Sequence, residues 1–377
     1  MHRRAIAILG LMMAVALPAA SADLPLTVPP GFAITQIASI PSARELAIAP
    51  NGDLFVGTHG NDVYIIPHPD SNPGTPHVFV SVPDRPAHGV AFGPDALYVG
   101  TQFGVWRIPY KSGEEKASER PMKIASVRTS EQAGEHVTTS VAFAKNTLYA
   151  SVGSSCDACQ PELDATRASV QAMQPDGKDM HPAATHVRNA IALAVNPNTG
   201  VVWLGAAGQD YLPAGHPYEI VDPFTLHSGV PNYGWPTCYE DHRSAGHADC
   251  SHETVPRVAV PAYVTPIGMA IYPQNPTGAH AFPPRYHGGL FIGVHGSWHQ
   301  PLRAPRVLFV PLHGDEPAIP VDWSNPDKQW QQFVGGFQSS DGSRYGRATG
   351  VAVGLDGDLY VADDARGAVY RVRFTAK

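Results

Sequence analysis

Six copies of one short pattern constrain this chain more than any other feature of its sequence. Each copy is an apolar segment, a polar turn, and a second segment rich in Leu, Tyr, Phe and Val. The copies are Leu46–Thr58, Val90–Thr101, Val141–Gly153, Leu193–Gly208, Met269–Pro273 with Gly288–Gly296, and Val351–Asp363. Their spacing reaches or exceeds the about 40 residues of one four-stranded propeller blade. Segments this apolar on both faces are typical of blades packed between two neighbours.

The repeats therefore predict an all-β chain, a six-bladed β-propeller of four-stranded antiparallel blades. The chain has 36 Gly and 37 Pro in 377 residues and no long stretch of helical period, which agrees with many short strands joined by turns. A β-sandwich would not need the same motif six times. We expect residues 23–377 to form a single propeller domain.

The first 22 residues have the order of a secretory signal. Arg3 and Arg4 precede an apolar run, Ala5–Leu17, and the small residues Ala20–Ala22 follow it. The run is short for a bilayer span, so a membrane anchor is the weaker alternative, and no later stretch approaches the about 20 apolar residues of a spanning helix. We expect a periplasmic or secreted protein with no membrane span.

The charge of the chain argues against two classes of partner. The formal net charge is -7, and removal of the signal takes away two arginines and no acidic residue. A negative chain of this kind disfavours nucleic acid or an anionic membrane surface as partner.

Four cysteines in an exported chain suggest disulfides. Cys156 and Cys159 share one loop and Cys238 and Cys250 share another, which favours the two local pairs among three possible connectivities. A redox dithiol at Cys156 and Cys159 is the alternative. Haem attachment there is disfavoured because Gln160 replaces the His that would bind iron.

Polar residues stand at a nearly constant distance ahead of the inner strands. Arg85, His136 and Arg188 precede the second residue of an inner strand by six positions, and Asn189 and Arg347 precede it by five. Inner strands of a propeller begin at the central channel, so we expect these side chains in one axial layer. Clustered arginines are costly without an anion, which predicts a polyanionic ligand. The alternative is that each Arg pairs with a local Asp or Glu.

With these motifs in order along six repeats, the chain resembles the exported quinoprotein sugar dehydrogenases of the glucose and sorbosone dehydrogenase group, and most closely the sorbosone dehydrogenase-like branch. The resemblance runs from about Ala43 to Phe374. It is carried by His136, Leu148–Cys156, Arg188-Asn189, Asn198–Trp203, Pro217–Glu219, Asn232–Pro236, His295–Trp298, Gly346-Arg347 and Asp358–Asp364. It implies a six-bladed propeller that uses pyrroloquinoline quinone (PQQ).

The resemblance also implies roles for individual residues. Arg188, Asn189 and Arg347 match the family's cofactor contacts, and a guanidinium suits the carboxylates of PQQ because its planar fork binds them bidentately. His136 matches the base that takes the proton from the sugar hydroxyl, as an imidazole with an ordinary pKa of about 6.5 can do. A hydrogen-bonded core histidine is the alternative for His136.

A calcium site is implied at Ala207–Asp210, where the carbonyls of Gly208 and Gln209 would bind Ca²⁺ beside the cofactor. A plain turn at the blade edge is the alternative. The sequence departs from the family at Ala207, where Asn is usual, and at Gln209, where a charged residue is usual. Ser154 stands where aldose dehydrogenases carry an Asp, so we expect His136 to lack that carboxylate partner.

Four aromatic residues fall on loops between the blades. They are Tyr233, Trp235, Trp298 and Tyr345. Their rings could stack on a sugar or on the quinone, with Trp298 as a cofactor contact, and packing is the alternative.

The sequence thus predicts an exported oxidoreductase that oxidises an aldose or related aldehyde sugar by hydride transfer to PQQ. An electron acceptor outside this chain would complete the reaction, since the sequence has no haem motif. One alternative is a gluconolactonase-like metal-dependent hydrolase, which would need several carboxylate and Asn ligands on the axis. The other is a propeller that binds a ligand or partner without catalysis.

Overall fold

The structure, a computed structural model, describes residues 25–127, 136–298 and 302–376. Six four-stranded antiparallel sheets in these ranges confirm the predicted six-bladed β-propeller. The predicted secretory signal lies outside the described residues. None of the helices in the described ranges has the length and apolar character to cross a membrane.

Five blades are built from four strands in chain order, from the inner strand outwards. Blade 1 is Ala43–Ile48, Leu54–Thr58, Asp62–Ile66 and His77–Ser81; blade 2 is Gly89–Phe92, Ala96–Thr101, Gly104–Pro109 and Met122–Ala125; blade 3 is Val141–Ala144, Thr147–Val152, Ser169–Met173 and His181–Thr185. Blade 4 is Asn189–Val195, Val202–Ala207, Glu219–Asp222 and Val258–Val260, and blade 5 is Pro266–Ile271, Leu290–Val294, Arg306–Val310 and Gln331–Val334. Each of the six sequence repeats is the inner hairpin of one blade.

Blade 6 joins the two ends of the described chain. Its three inner strands are Ala348–Val353, Leu359–Asp363 and Ala368–Phe374, and its outer strand is Phe32–Ser39 from the beginning of the chain. The outer strand runs antiparallel to the last one, with Phe32 opposite Phe374. This pairing closes the ring, and the sequence repeats did not predict it.

The hydrophobic core lies between the blades. Six clusters of buried apolar side chains each join two neighbouring blades. One contains Trp203 of blade 4 and Leu290 of blade 5, and another contains Leu54 of blade 1 and Tyr360 of blade 6. Burying apolar surface contributes about 25 cal/mol per Å², so each blade is stabilised chiefly by its neighbours.

The remaining elements lie on the loops. They are the hairpins Cys238–Tyr239 with Arg243–Ser244 and Leu312–His313 with Glu316–Pro317, and the 3-10 helices Phe224–Leu226, Pro284–Tyr286 and Pro326–Gln329. Both favoured disulfides, Cys156–Cys159 and Cys238–Cys250, are present.

Candidate active site

His136 lies just ahead of blade 3 and is held through one ring nitrogen. Nδ1 lies 2.9 Å from the carbonyl oxygen of Ser154 and 3.1 Å from its hydroxyl oxygen. The Ser154 hydroxyl donates its own hydrogen to the carbonyl of Cys156 at 2.6 Å. Both Ser154 oxygens therefore accept, so Nδ1 carries the proton and Nε2 of the neutral ring has the lone pair that a base needs.

Ser154 orients His136 with its carbonyl and its hydroxyl, which fix the tautomer of the ring. These two oxygens differ from the carboxylate that an Asp at this position would offer. The difference is electrostatic, because two neutral oxygens stabilise an imidazolium less than a carboxylate does.

Gly153 permits His136 and Asn189 to approach each other. A Cβ atom on Gly153 would lie 2.5 Å from the Cβ of His136 and 2.5 Å from Oδ1 of Asn189, closer than real side chains allow. Asn189 is buried, and its Oδ1 has no hydrogen-bond partner in the described part of the chain. A buried acceptor without a donor is costly, so this atom fits a site that is completed by a ligand.

Arg188 lies beside the same loop, since its carbonyl accepts a hydrogen bond of 2.7 Å from the Ser154 N–H. Its guanidinium is buried and pairs with two carboxylates, at 2.8 Å from Asp157 and 2.9 Å from Asp210. Asp157 lies inside the Cys156–Cys159 loop. For Arg188 the alternative of pairing with local acids therefore holds, although the pairing does not exclude a further contact.

Arg347 and Arg85 differ from Arg188. Neither has a carboxylate within 4.0 Å among the described residues. The Arg347 guanidinium donates from Nε to the carbonyl of His295 at 3.2 Å. Burial lowers the pKa of Arg347 to about 10, and the nearby Arg44 charge acts in the same direction. The half-buried guanidinium of Arg347 is therefore suited to bind an anionic ligand. Arg85, in contrast, is exposed to solvent.

A charged cluster that the sequence analysis missed lies next to Arg347. Nη1 of Arg44 donates to Asp364 at 2.7 Å, and the Asp364 carboxylate lies 2.9 Å from Nε2 of His295. Burial lowers the pKa of His295 to about 4, while the neighbouring His295 and Arg44 hold the pKa of Asp364 well below its ordinary value. The spacing used for the prediction covers only residues five or six positions ahead of an inner strand's second residue. It does not include Arg44, because Arg44 lies within its strand, next to a register shift.

Arg44 also begins a chain of hydrogen bonds that links the first four blades. Its Nε donates to Nδ1 of His88 at 3.3 Å, so Nε2 of His88 donates to the Ser140 hydroxyl at 3.1 Å. Ser140 in turn donates to the carbonyl of Ile191. His88 is fully buried, and burial holds its pKa well below the ordinary value, so it is neutral.

In the proposed calcium loop, Ala207–Asp210, the Asp210 carboxylate pairs with Arg188, which leaves main-chain carbonyls as candidate metal ligands. The Gly208 N–H donates to Glu219 at 2.6 Å, and burial raises the pKa of that carboxyl to about 8. The carbonyls of Gly208 and Gln209 accept no hydrogen bond from the described residues. Three or more His, Cys, Asp or Glu side chains placed to hold a metal do not occur within the described ranges. Backbone carbonyl oxygens are ligands of the kind that calcium accepts.

The four aromatic residues on the loops divide into two pairs. Tyr233 and Trp235 are buried and hydrogen-bonded, Tyr233 to Asp222 and Trp235 to the carbonyl of Asp157, so they are packing residues. Trp298 is 66% exposed and Tyr345 is 41% exposed. Tyr233 and Trp235 instead line a cavity together with Arg188.

Solved structures resemble the fold over nearly the whole chain. The PQQ domain of pyranose dehydrogenase from Coprinopsis cinerea, in its holo form, is 16% identical and has a TM-score of 0.79, covering 94% of this chain and 99% of that one. The calcium structure of a carbohydrate-active enzyme of family AA12 from Trichoderma reesei is 17% identical, with a TM-score of 0.76 and coverage of 94% and 98%. The PQQ-bound aldose sugar dehydrogenase from Streptomyces coelicolor is 18% identical, with a TM-score of 0.64 and coverage of 92% and 99%.

Comparisons of sequence alone find less similarity to known proteins. No protein-family model matches the chain. An uncharacterized protein from Borreliella burgdorferi is 25% identical over 193 residues, which are 50% of this chain and 47% of that protein. The chain thus matches about half the length of this relative. At these identities, the comparisons establish the propeller fold.

Proposed function

We propose that this protein is a periplasmic or secreted quinoprotein that oxidises an aldose or a related aldehyde sugar. The observation that carries the proposal is the placement of His136, with its Nδ1 proton committed to Ser154, beside the orphaned Oδ1 of Asn189. The fold neighbours whose names specify PQQ and a sugar dehydrogenase support the same chemistry. The two disulfides support export, because such bonds persist in oxidising compartments.

The residues of the site fit PQQ. Arg347 has a half-buried guanidinium without an acidic partner in the described ranges, and Arg188 and Asn189 lie beside the His136 loop. We assign these three residues, with Trp298, to the cofactor, and the carbonyls of Gly208 and Gln209 to Ca²⁺ and the cofactor edge. PQQ held by these residues would supply the acceptor for the hydride, and with it two electrons, that the sugar carbon loses.

The protein's own part in the reaction is to orient the sugar and remove a proton. Nε2 of His136 takes the proton of the sugar hydroxyl, and the Ser154 oxygens stabilise the imidazolium that results. The proton then leaves His136 for solvent. The two electrons pass to an external acceptor, which completes the turnover.

The alternative functions have less support. A gluconolactonase-like hydrolase needs several acidic and Asn ligands around one metal, and within the described ranges no such group of acidic side chains exists. A propeller that only binds a ligand would not need a histidine held in a single tautomer.

Titration of the mature protein with PQQ and calcium, followed by dye reduction with a panel of aldoses, tests the proposal. His136→Gln should lower kcat by about 10²- to 10⁴-fold and leave PQQ affinity intact, whereas Arg347→Gln should weaken PQQ binding itself. Arg107→Gln, which breaks a surface pair with Asp95 on blade 2, is the matched control and should change neither. Folded protein that binds no PQQ would refute the quinoprotein function, and PQQ binding without sugar oxidation would favour the non-catalytic alternative.

A further inference from the structure

Arg167 is a buried arginine whose guanidinium is devoted to the loop that carries the proposed base. It stands just ahead of the third strand of blade 3 and is only 4% exposed. Nε donates to the carbonyl of Gly153 at 2.9 Å, and Nη2 donates to the carbonyl of Ser154 at 2.7 Å and to that of His136 at 3.3 Å. These hydrogen bonds all go to main-chain oxygens, not to carboxylates.

Burying this charge has an evident cost. Burial lowers the pKa of Arg167, and only the through-space attraction of Glu162 and Asp164 opposes that effect. A neutral side chain of similar volume would fill the space without the desolvation penalty. What the guanidinium provides beyond such a side chain is the geometry of its donors, which a rigid planar fork fixes in direction.

The Ser154 carbonyl connects Arg167 to the ring of His136. This oxygen accepts the Nδ1–H of His136 at 2.9 Å and the Nη2–H of Arg167 at 2.7 Å, one hydrogen for each of its lone pairs. Arg167 also holds the main-chain carbonyl of His136. It thus constrains both the backbone of the histidine and the acceptor that orients its ring.

We propose that Arg167 is a positioning residue that holds His136 in the orientation and tautomer needed to remove the sugar proton. The inference rests on the proposed function, since it assumes that His136 is the base. Arg167 does not touch the reacting atoms and acts only through His136 and Ser154. An arginine that merely stabilised the fold would affect the amount of folded protein but not the properties of His136.

Two variants and one control separate these roles. Arg167→Gln removes the fork, and Arg167→Lys keeps the charge with a different donor geometry. Arg373→Gln is the matched control, because Arg373 also makes several hydrogen bonds, to Asp358 in blade 6, away from His136. For each loaded enzyme we would measure kcat, KM, PQQ affinity, and the isotope effect of deuterium on the sugar carbon that is oxidised.

We expect Arg167→Gln to lower kcat by about 10- to 100-fold, as small misplacements of a catalytic group do. KM and PQQ affinity should stay within about twofold of wild type, and the isotope effect on kcat should rise as the chemical step becomes slower. Arg167→Lys should fall between Arg167→Gln and wild type. Arg373→Gln should reduce stability and leave kcat per folded molecule and the isotope effect unchanged.

A readout on the cofactor-free protein keeps this inference separate from the proposed function. Nitrogen-15 spectra of the histidine rings, with His136 assigned by comparison with His136→Gln, should show one Nδ1–H tautomer in wild type and exchange between tautomers in Arg167→Gln. An unchanged tautomer, or an unchanged kcat per folded molecule in both variants, would overturn the positioning role. If wild type binds no PQQ, the proposed function fails, and the ring spectra still decide the role of Arg167. If Arg167→Gln does not fold, the same measurements on Arg167→Lys are compared with those on wild type.

Discussion

Glu45 makes the stability of the protein depend on pH in a way that one substitution can reveal. It is 8% exposed in the inner strand of blade 1, and its Oε1 has no hydrogen-bond partner in the described ranges. Burial raises its pKa from 4.5 to about 8 against the opposing charge of Arg44. Between these pH values the folded protein keeps a proton that the unfolded chain releases, so its stability falls as pH rises through this window.

The expected size of the effect follows from the two pKa values. At about 1.4 kcal/mol for each pH unit, a pKa raised from 4.5 to about 8 corresponds to at most about 5 kcal/mol once the carboxyl is ionised in both states. Glu45→Gln is neutral at every pH and similar in shape. It should have the stability of wild type near pH 4.5 and become progressively more stable than wild type up to pH 9.

Urea unfolding of the cofactor-free protein, followed by tryptophan fluorescence at several pH values from 5 to 9, measures this difference. Glu219, whose pKa burial also raises to about 8, contributes equally to wild type and variant and cancels. Glu119→Gln, at an exposed glutamate, is the control and should not change the pH dependence. A difference between Glu45→Gln and wild type that stays constant with pH would refute the protonated state of Glu45.

Three further outcomes are expected. Gly153→Ala should lower kcat by about tenfold or more and destabilise the fold by about 1–3 kcal/mol, because its Cβ would displace His136 or Asn189; wild-type turnover would contradict the close approach. Replacing Cys238 and Cys250 by Ser should lower the free energy of unfolding by about 3 kcal/mol, as expected for a loop with a separation of 12 residues, and leave PQQ affinity unchanged. Calcium chelation with EGTA should weaken PQQ binding by about tenfold or more, and an unchanged titration would remove calcium from the proposal.

The inner half of each blade was predictable from sequence because it is packed on both faces by neighbouring blades. Strands such as Leu54–Thr58 and Ala96–Thr101 are buried throughout, so their composition is mostly apolar and the repeat is visible. Outer strands are different. Met122–Ala125 and the closing strand Phe32–Ser39 are partly exposed and lack the pattern, and the pairing of Phe32 with Phe374 depends on the ends of the chain meeting.

The candidate site was predictable only where a residue occupies a repeated position. The constant spacing ahead of the inner strands identified His136 and Asn189, which the structure brings together at Gly153. It could not find Arg167, which reaches the His136 loop from the segment ahead of the third strand of blade 3, or Asp157, which pairs with Arg188 from a disulfide loop. Contacts of this kind depend on the fold and leave no local signature in the sequence.

The two ends of the central channel differ in chemistry, and the inner strands explain why. Their last residues are apolar in all six blades and line a cavity of about 530 Å³ at one end of the channel, where Phe92, Phe143 and Ile271 lie. The residues just ahead of the inner strands are polar in all six blades: Ser42, His88, Ser140, Arg188, Thr265 and Arg347. Fully buried charges are unfavourable in a folded chain unless they are paired or bind a ligand. If neighbouring inner strands ran in opposite directions, these polar residues would be divided between the two ends of the channel. In a propeller, all six inner strands begin at the same end. The repeat that builds the fold therefore also gathers polar and charged side chains at one end of the channel. The proposed base, His136, comes from a loop ahead of an inner strand at this same end.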